Sequence, residues 1–175
     1  MTRWKAAVGT ASEPSTSVTG VEGASSMKSA RVWRRSSRLT AQAFITTDLD
    51  DNQITSFHAG AMFQSQRIDV TSVDNVALGI VAPDGRDGMF RHARGFAAKK
   101  VPFIFDPGQA MPAFSGDEIV ELISMADYLS VNDYEAEMIA QKTGRPIESF
   151  APGLKALIIT LGAHGSRVYT QGKTV

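Results

Sequence analysis

Four short apolar runs constrain the fold more than any other feature of this chain. Residues 76–81 (Val-Ala-Leu-Gly-Ile-Val), 101–105 (Val-Pro-Phe-Ile-Phe), 128–131 (Tyr-Leu-Ser-Val) and 157–160 (Leu-Ile-Ile-Thr) each stop abruptly in polar residues, proline or glycine. The stretches between them carry helical periodicity. After Phe114, Ser115 and Glu118 form the signature of a capping box, Phe114 is placed to staple onto Ile119, and Ile119, Leu122, Ile123 and Ala126 recur on one helical face. A second helix is expected over 133–143, ended by Gly144 and Pro146, and a third over 89–100. Continuous apolar strands alternating with amphipathic helices predict an α/β fold whose mostly parallel sheet is covered on both faces. Near the end, 166–170 and 171–173 predict a hairpin whose second strand is not delivered.

The chain changes character near Thr40. Residues 1–39 hold twelve Ser or Thr and seven basic residues against Glu13 and Glu22, a net +5. Residues 40–175 hold the remaining 11 basic and 16 acidic residues, a net −5. With no sustained apolar period, 1–39 cannot bury enough surface to offset ordering, so a disordered tail foreign to the fold is expected. Residues 41–47 and 53–57, β-prone runs around an Asp/Asn cluster, predict a hairpin. Cysteine is absent, which removes disulfides and thiol catalysis and fits a cytoplasmic protein. No apolar run is long enough for a membrane span.

Chemistry concentrates where strands end, because an α/β sheet presents groups to ligands at its strand C-termini. Asn132 and Glu135 stand at a strand-to-helix junction, where free N–H groups favour an anion. The pair reads first as an N-cap with its reciprocal partner, a role compatible with an amide for phosphate and a carboxylate for Mg²⁺. Thr160-Leu-Gly162-Ala-His-Gly165 follows a buried strand. Its glycines serve either a tight turn or a close approach of backbone to a nucleotide. Gly172-Lys173-Thr174 is not a Walker A loop, because position 167 is Arg where the leading glycine belongs. His58, His92 and His164 lack ligand spacing, which argues against zinc. Arg86, Arg91 and Arg94 read as a solvated helix face. The acidic body has no nucleic-acid reading motif.

These residues resemble the ribokinase-like (PfkB) carbohydrate and nucleoside kinases. Asn132-x-x-Glu135 is similar to the family's N-x-x-E motif, and Thr160-x-Gly162-x-x-Gly165 to its T-x-G-x-x-G segment. The hairpin ending His58-Ala-Gly-Ala61 resembles the lid that closes over the sugar. Asp106-Pro-Gly-Gln109 is similar to a segment facing the site. The stretch 41–48 resembles bacterial adenosine and general sugar kinases. The resemblance covers 40–175, the central part of such a domain, and implies a three-layer α/β/α sandwich with a small β lid. It further implies ATP as co-substrate and a nucleoside or sugar acceptor, with no nucleic-acid or membrane partner and a homodimer formed through the lid. Asn132, Thr160, Gly162 and Gly165 would bind the nucleotide and its phosphates, Glu135 would position Mg²⁺ through water, and Gln42 and Phe44 would lie on the lid. The family's G-A-G-D segment, which carries the general base, and its N-terminal Gly-Gly motif are absent from the 175 residues. The chain is therefore expected to be inactive by itself, with an unpaired sheet edge after Thr170 that promotes self-association. The alternative is a nucleotide- or metabolite-binding module without catalysis.

Overall fold

The computed structural model describes residues 5–7, 39–49, 53–170 and 172–175. The chain divides into two compact units, residues 1–62 and 63–175.

The first unit is a three-stranded antiparallel sheet of strands β1 (Lys5–Ala7), β2 (Gln42–Thr47) and β3 (Gln53–His58), in that order. The β2–β3 hairpin pairs Gln42 with His58 and Thr47 with Gln53, as its two β-prone runs lead one to expect. Strand β1 lies inside the stretch expected to be unstructured; at Lys5–Ala7 the backbone pairs with 45–47 of β2. The rest of that stretch up to Arg38 lies outside the described residues.

The second unit is built on a six-stranded sheet: β4 (Gly79–Val81), β5 (Phe103–Phe105), β6 (Tyr128–Asn132), β7 (Ala156–Thr160), β8 (Ser166–Thr170) and β9 (Lys173–Thr174). Strands β4 to β7 run parallel, and β8 and β9 fold back antiparallel. Helices α1 (Arg86–Ala98), α2 (Gly116–Met125) and α3 (Asp133–Thr143) form the three crossovers. Strand order follows chain order, and right-handed crossovers that all step the same way place their helices on one side of the sheet. The core bears this out. Val81, Phe103, Phe105, Leu129, Val131, Leu157 and Ile159 pack with Met89, Ala93, Ile119, Leu122, Ile123, Ala136 and Ile139 of the helices.

The expected α/β fold with a mostly parallel sheet is present. Within this unit the opposite face is open: Ile80 is 61% exposed, and Ile104 and Ile158 are half-buried. One correction concerns the last hairpin. Its second strand is present in short form, with Lys173 opposite Thr170 and a reciprocal backbone pair between Val168 and Val175.

Local chemistry explains the helix boundaries. Ser115 caps α2 by accepting the Glu118 N–H while Glu118 accepts the Ser115 N–H at 2.8 Å, the reciprocal box read from the sequence. Gly144 ends α3 in the left-handed region at φ 66°, where a side chain would be strained. Gly116 meets the carboxyl end of α3 so closely that an added Cβ would lie 2.1 Å from the Lys142 carbonyl oxygen. The arginines of α1 are the exposed face that was expected. Arg86 pairs with Glu118, Arg94 with Glu121 at 2.7 Å, and Arg91 approaches Asp69 at 3.9 Å.

Candidate functional site

Parallel pairing brings the carboxyl ends of β5, β6 and β7 side by side, so the residues that end these strands share one edge of the sheet. Asn132, the last residue of β6, lies directly opposite Thr160, the last of β7. Asp106 follows β5, and its N–H donates to the Val81 carbonyl at the end of β4. Four strand ends thus converge, with the amino end of α3 opening on them.

The start of α3 is fixed by its own first turn. The Asn132 side-chain oxygen accepts the Glu135 N–H at 2.7 Å, and Glu135 Oε2 accepts the Asn132 N–H at 2.9 Å. The capping reading of this pair is therefore realised. Glu135 Oε1 carries no hydrogen bond among the described residues, which leaves an acceptor for another ligand. The helix dipole adds partial positive charge at this end, favourable to an anion.

Thr160 is exposed, and its Oγ1 reaches the Val131 carbonyl at a long 3.5 Å. The loop after it is a single tight turn: the Leu161 N–H donates to the Gly165 carbonyl at 2.8 Å, and Gly162 and Gly165 take φ of 57° and 88°. Both glycines are thus required by the turn itself, and an added Cβ at either would meet nothing within 4 Å. That open space is what a close approach of a ligand to the backbone needs.

Asp106 is the residue that sequence reasoning undervalued. The sequence places it in an Asp-Pro-Gly segment similar to one that faces the site, and assigns it no role. Its carboxyl is raised above the ordinary aspartate range, first by burial and then by the negative charge of Glu135, while the Gly108 N–H acts in the opposite direction. Two carboxylates therefore feel each other at the mouth of the α3 terminus. The signal available in the sequence was position alone, a carboxylate directly after a buried strand.

Of the residues singled out from the sequence, the structure brings Asn132, Glu135, Thr160, Gly162 and Gly165 to this edge. Gln42 and Phe44 stand on one face of β2 in the separate first unit, both exposed. Among the described residues no three His, Cys, Asp or Glu side chains cluster as a metal site.

Known proteins match this arrangement. The chain is 29% identical over 136 residues to a nucleoside kinase of Methanocaldococcus jannaschii, covering 78% of this chain and 44% of that protein. The solved nucleoside kinase of Burkholderia thailandensis in complex with inosine is 46% identical, with a TM-score of 0.77 over 79% of this chain and 47% of that one. The same kinase is known in complex with ADP-inosine, at a TM-score of 0.74. The chain spans about half the length of these relatives. The sequence pattern of the pfkB family carbohydrate kinases matches residues 24–175, reaching into the stretch read from composition as a tail. A mostly parallel α/β sheet with these strand-end residues, and a match over most of its length, make this chain a member of the pfkB carbohydrate kinase family.

Proposed function

We propose that this chain supplies the nucleotide side of a kinase that transfers the γ-phosphoryl group of ATP to a hydroxyl of a nucleoside, adenosine- or inosine-like, or of a simple sugar. The observation that carries the reading is the register that sets Asn132 beside Thr160 at adjoining strand ends, with Glu135 and the α3 amino terminus at their mouth. The nucleoside kinases to which the chain is similar support a nucleoside acceptor over a plain sugar.

In this reading the Asn132 side-chain NH2 group and the positive end of the α3 dipole hold phosphate oxygens, and the open backbone of Gly162 and Gly165 lies along the nucleotide. The donor set fits Mg²⁺, which takes one or two carboxylates and completes its shell with water and phosphate oxygens. Glu135, with Oε1 outside the capping box, and Asp106 beside it would hold the hydrated ion. When bound, Mg²⁺ neutralises charge on the phosphates. Burial and the nearby Glu135 charge hold the Asp106 carboxyl above the usual aspartate range, so it takes up a proton earlier than an exposed aspartate as pH falls, and nucleotide affinity should weaken on the acid side.

The reaction forms a bond from the acceptor oxygen to the γ-phosphorus, breaks the bond to ADP, and passes the hydroxyl proton to a base. The 175 residues contain no Gly-Ala-Gly-Asp segment to provide that base. We therefore expect nucleotide binding without turnover from this chain by itself, in which residues 40–175 act as the central part of a kinase domain.

Gln42 and Phe44 would face the acceptor on the β2–β3 lid. Phe44, Ile45, Ile54 and Phe57 are all exposed on this hairpin, and covering them in a homodimer through the lid would remove that apolar surface from water. Among the described residues no helix is long and apolar enough to cross a membrane. A cytoplasmic protein acting on small molecules, without a nucleic-acid partner, fits the reading.

Calorimetry with Mg-ATP tests it. Saturable binding is expected, weakened at least tenfold in Glu135→Gln, with no ADP formed in the presence of inosine. Absent binding would refute the nucleotide site, and ADP formation above background would refute the inactivity.

A further inference from the structure

The opposite end of the same sheet holds a cavity that the proposed reaction does not use. It lies below the amino ends of β6 and β7, is bounded by the 147–153 segment and the β8–β9 hairpin, and has a volume of about 770 Å³. Ligand clefts span roughly 300 to 1,000 Å³. Apolar wall comes from Leu154 and the rings of Tyr128 and Tyr169.

The charges around it are unequal in their engagement. Lys155 is tied to Asp127 at 2.8 Å and leans on the Tyr128 ring, 6.0 Å from its centroid. Glu148 accepts a long hydrogen bond from the Tyr169 hydroxyl at 3.4 Å. Lys173, exposed on β9 and also lining the cavity, forms no ion pair among the described residues. A cation outside any ion pair and two aromatic rings in the lining of one cavity suit a ring-bearing anion. The Glu148 carboxylate in the same lining suits ligand hydroxyls.

We propose that this cavity binds a phosphate monoester carrying a planar ring and sugar hydroxyls, that is, a nucleoside monophosphate. Its phosphate meets Lys173, its ring packs against Tyr128 and Leu154, and its hydroxyls donate to Glu148. A nucleoside monophosphate is the product class of the reaction proposed above, so the choice of nucleotide rests on that reading. The cavity would then report product at a distance from the strand carboxyl ends.

Calorimetry on the full chain with inosine 5′-monophosphate, inorganic phosphate and, separately, Mg-ATP tests this. Inosine monophosphate should bind, inorganic phosphate at least tenfold more weakly. Lys173→Ala and Tyr128→Leu should each weaken the monophosphate at least fivefold, with Mg-ATP binding and the thermal midpoint unchanged for Lys173→Ala. Asn132→Ala should leave monophosphate affinity within twofold. Loss on Asn132→Ala but not on Lys173→Ala would place the monophosphate at the nucleotide site and overturn the proposal, as would equal affinity for inorganic phosphate. No monophosphate binding alongside intact Mg-ATP binding overturns this inference alone. Failure of both ligands overturns the nucleotide reading with it.

Discussion

Asn132 has two jobs in this account, and one substitution separates them. Asn132→Asp keeps the capping geometry, because Asp accepts the Glu135 N–H as well as Asn does and gains from the helix dipole. The gain is offset by repulsion from the Glu135 carboxylate that bonds the same backbone turn. Stability should therefore stay within about 0.5 kcal/mol of wild type. Asn132→Ala removes the 2.7 Å cap bond and should cost about 1 kcal/mol, a fall of roughly 2–4 °C in thermal midpoint for a chain of this size. Nucleotide affinity should order differently. A new carboxylate about 4 Å from a phosphate oxygen costs about 1 kcal/mol in a water-like medium and about 4 kcal/mol at an effective dielectric of about 20. At this half-exposed site Mg-ATP should bind at least about fivefold more weakly in Asn132→Asp. Circular dichroism melts and calorimetry on the three proteins give both orders. An Asp variant as unstable as the Ala variant would refute the capping argument. Wild-type affinity in the Asp variant would refute a phosphate contact at this position.

Other expectations follow from packing and charge. Gly116→Ala should destabilise by about 1–3 kcal/mol despite the better helix propensity of Ala, because the added Cβ meets the Lys142 backbone rather than a movable side chain; urea unfolding checks the sign. Leu129→Ala empties a fully buried position in the central strand and should cost about 2–5 kcal/mol by the same measurement. Asp106 has a raised folded pKa, so its ionised form opposes folding, and stability lost above that pKa returns as pH falls through it towards the unfolded value of 3.8. Asp106→Asn should therefore be more stable than wild type at neutral pH, with the difference closing below the raised pKa; a gap constant with pH would contradict the burial argument.

Much of this architecture was legible because its signals are local. The capping boxes of Ser115 with Glu118 and Asn132 with Glu135, the Gly144 stop and the strand-helix alternation all depend on neighbours within one turn. Which face of the sheet the three helices cover was not legible, because it depends on strand order. Ile80, Ile104 and Ile158 are apolar like their buried neighbours Val81, Phe105 and Leu157, so their runs read as buried on both faces although this unit covers only one. Strand β9 was missed because two residues carry no periodicity, and its pairing is set by the backbone of β8. The site was half legible. Asn132, Glu135 and Thr160 carry a spacing, whereas Asp106 reaches the same edge only through the parallel pairing of β5 with β6.

The central claim is that nucleotide binds at the carboxyl ends of β5, β6 and β7. Amide chemical-shift mapping with a Mg²⁺-bound, non-hydrolysable ATP analogue tests it residue by residue. The account predicts saturating shifts at Asp106, Gly108, 132–135 and 160–165, with the arginine face of α1 unmoved. Shifts confined to Arg86, Arg91 and Arg94, or no shift at the strand ends at millimolar analogue, would contradict it.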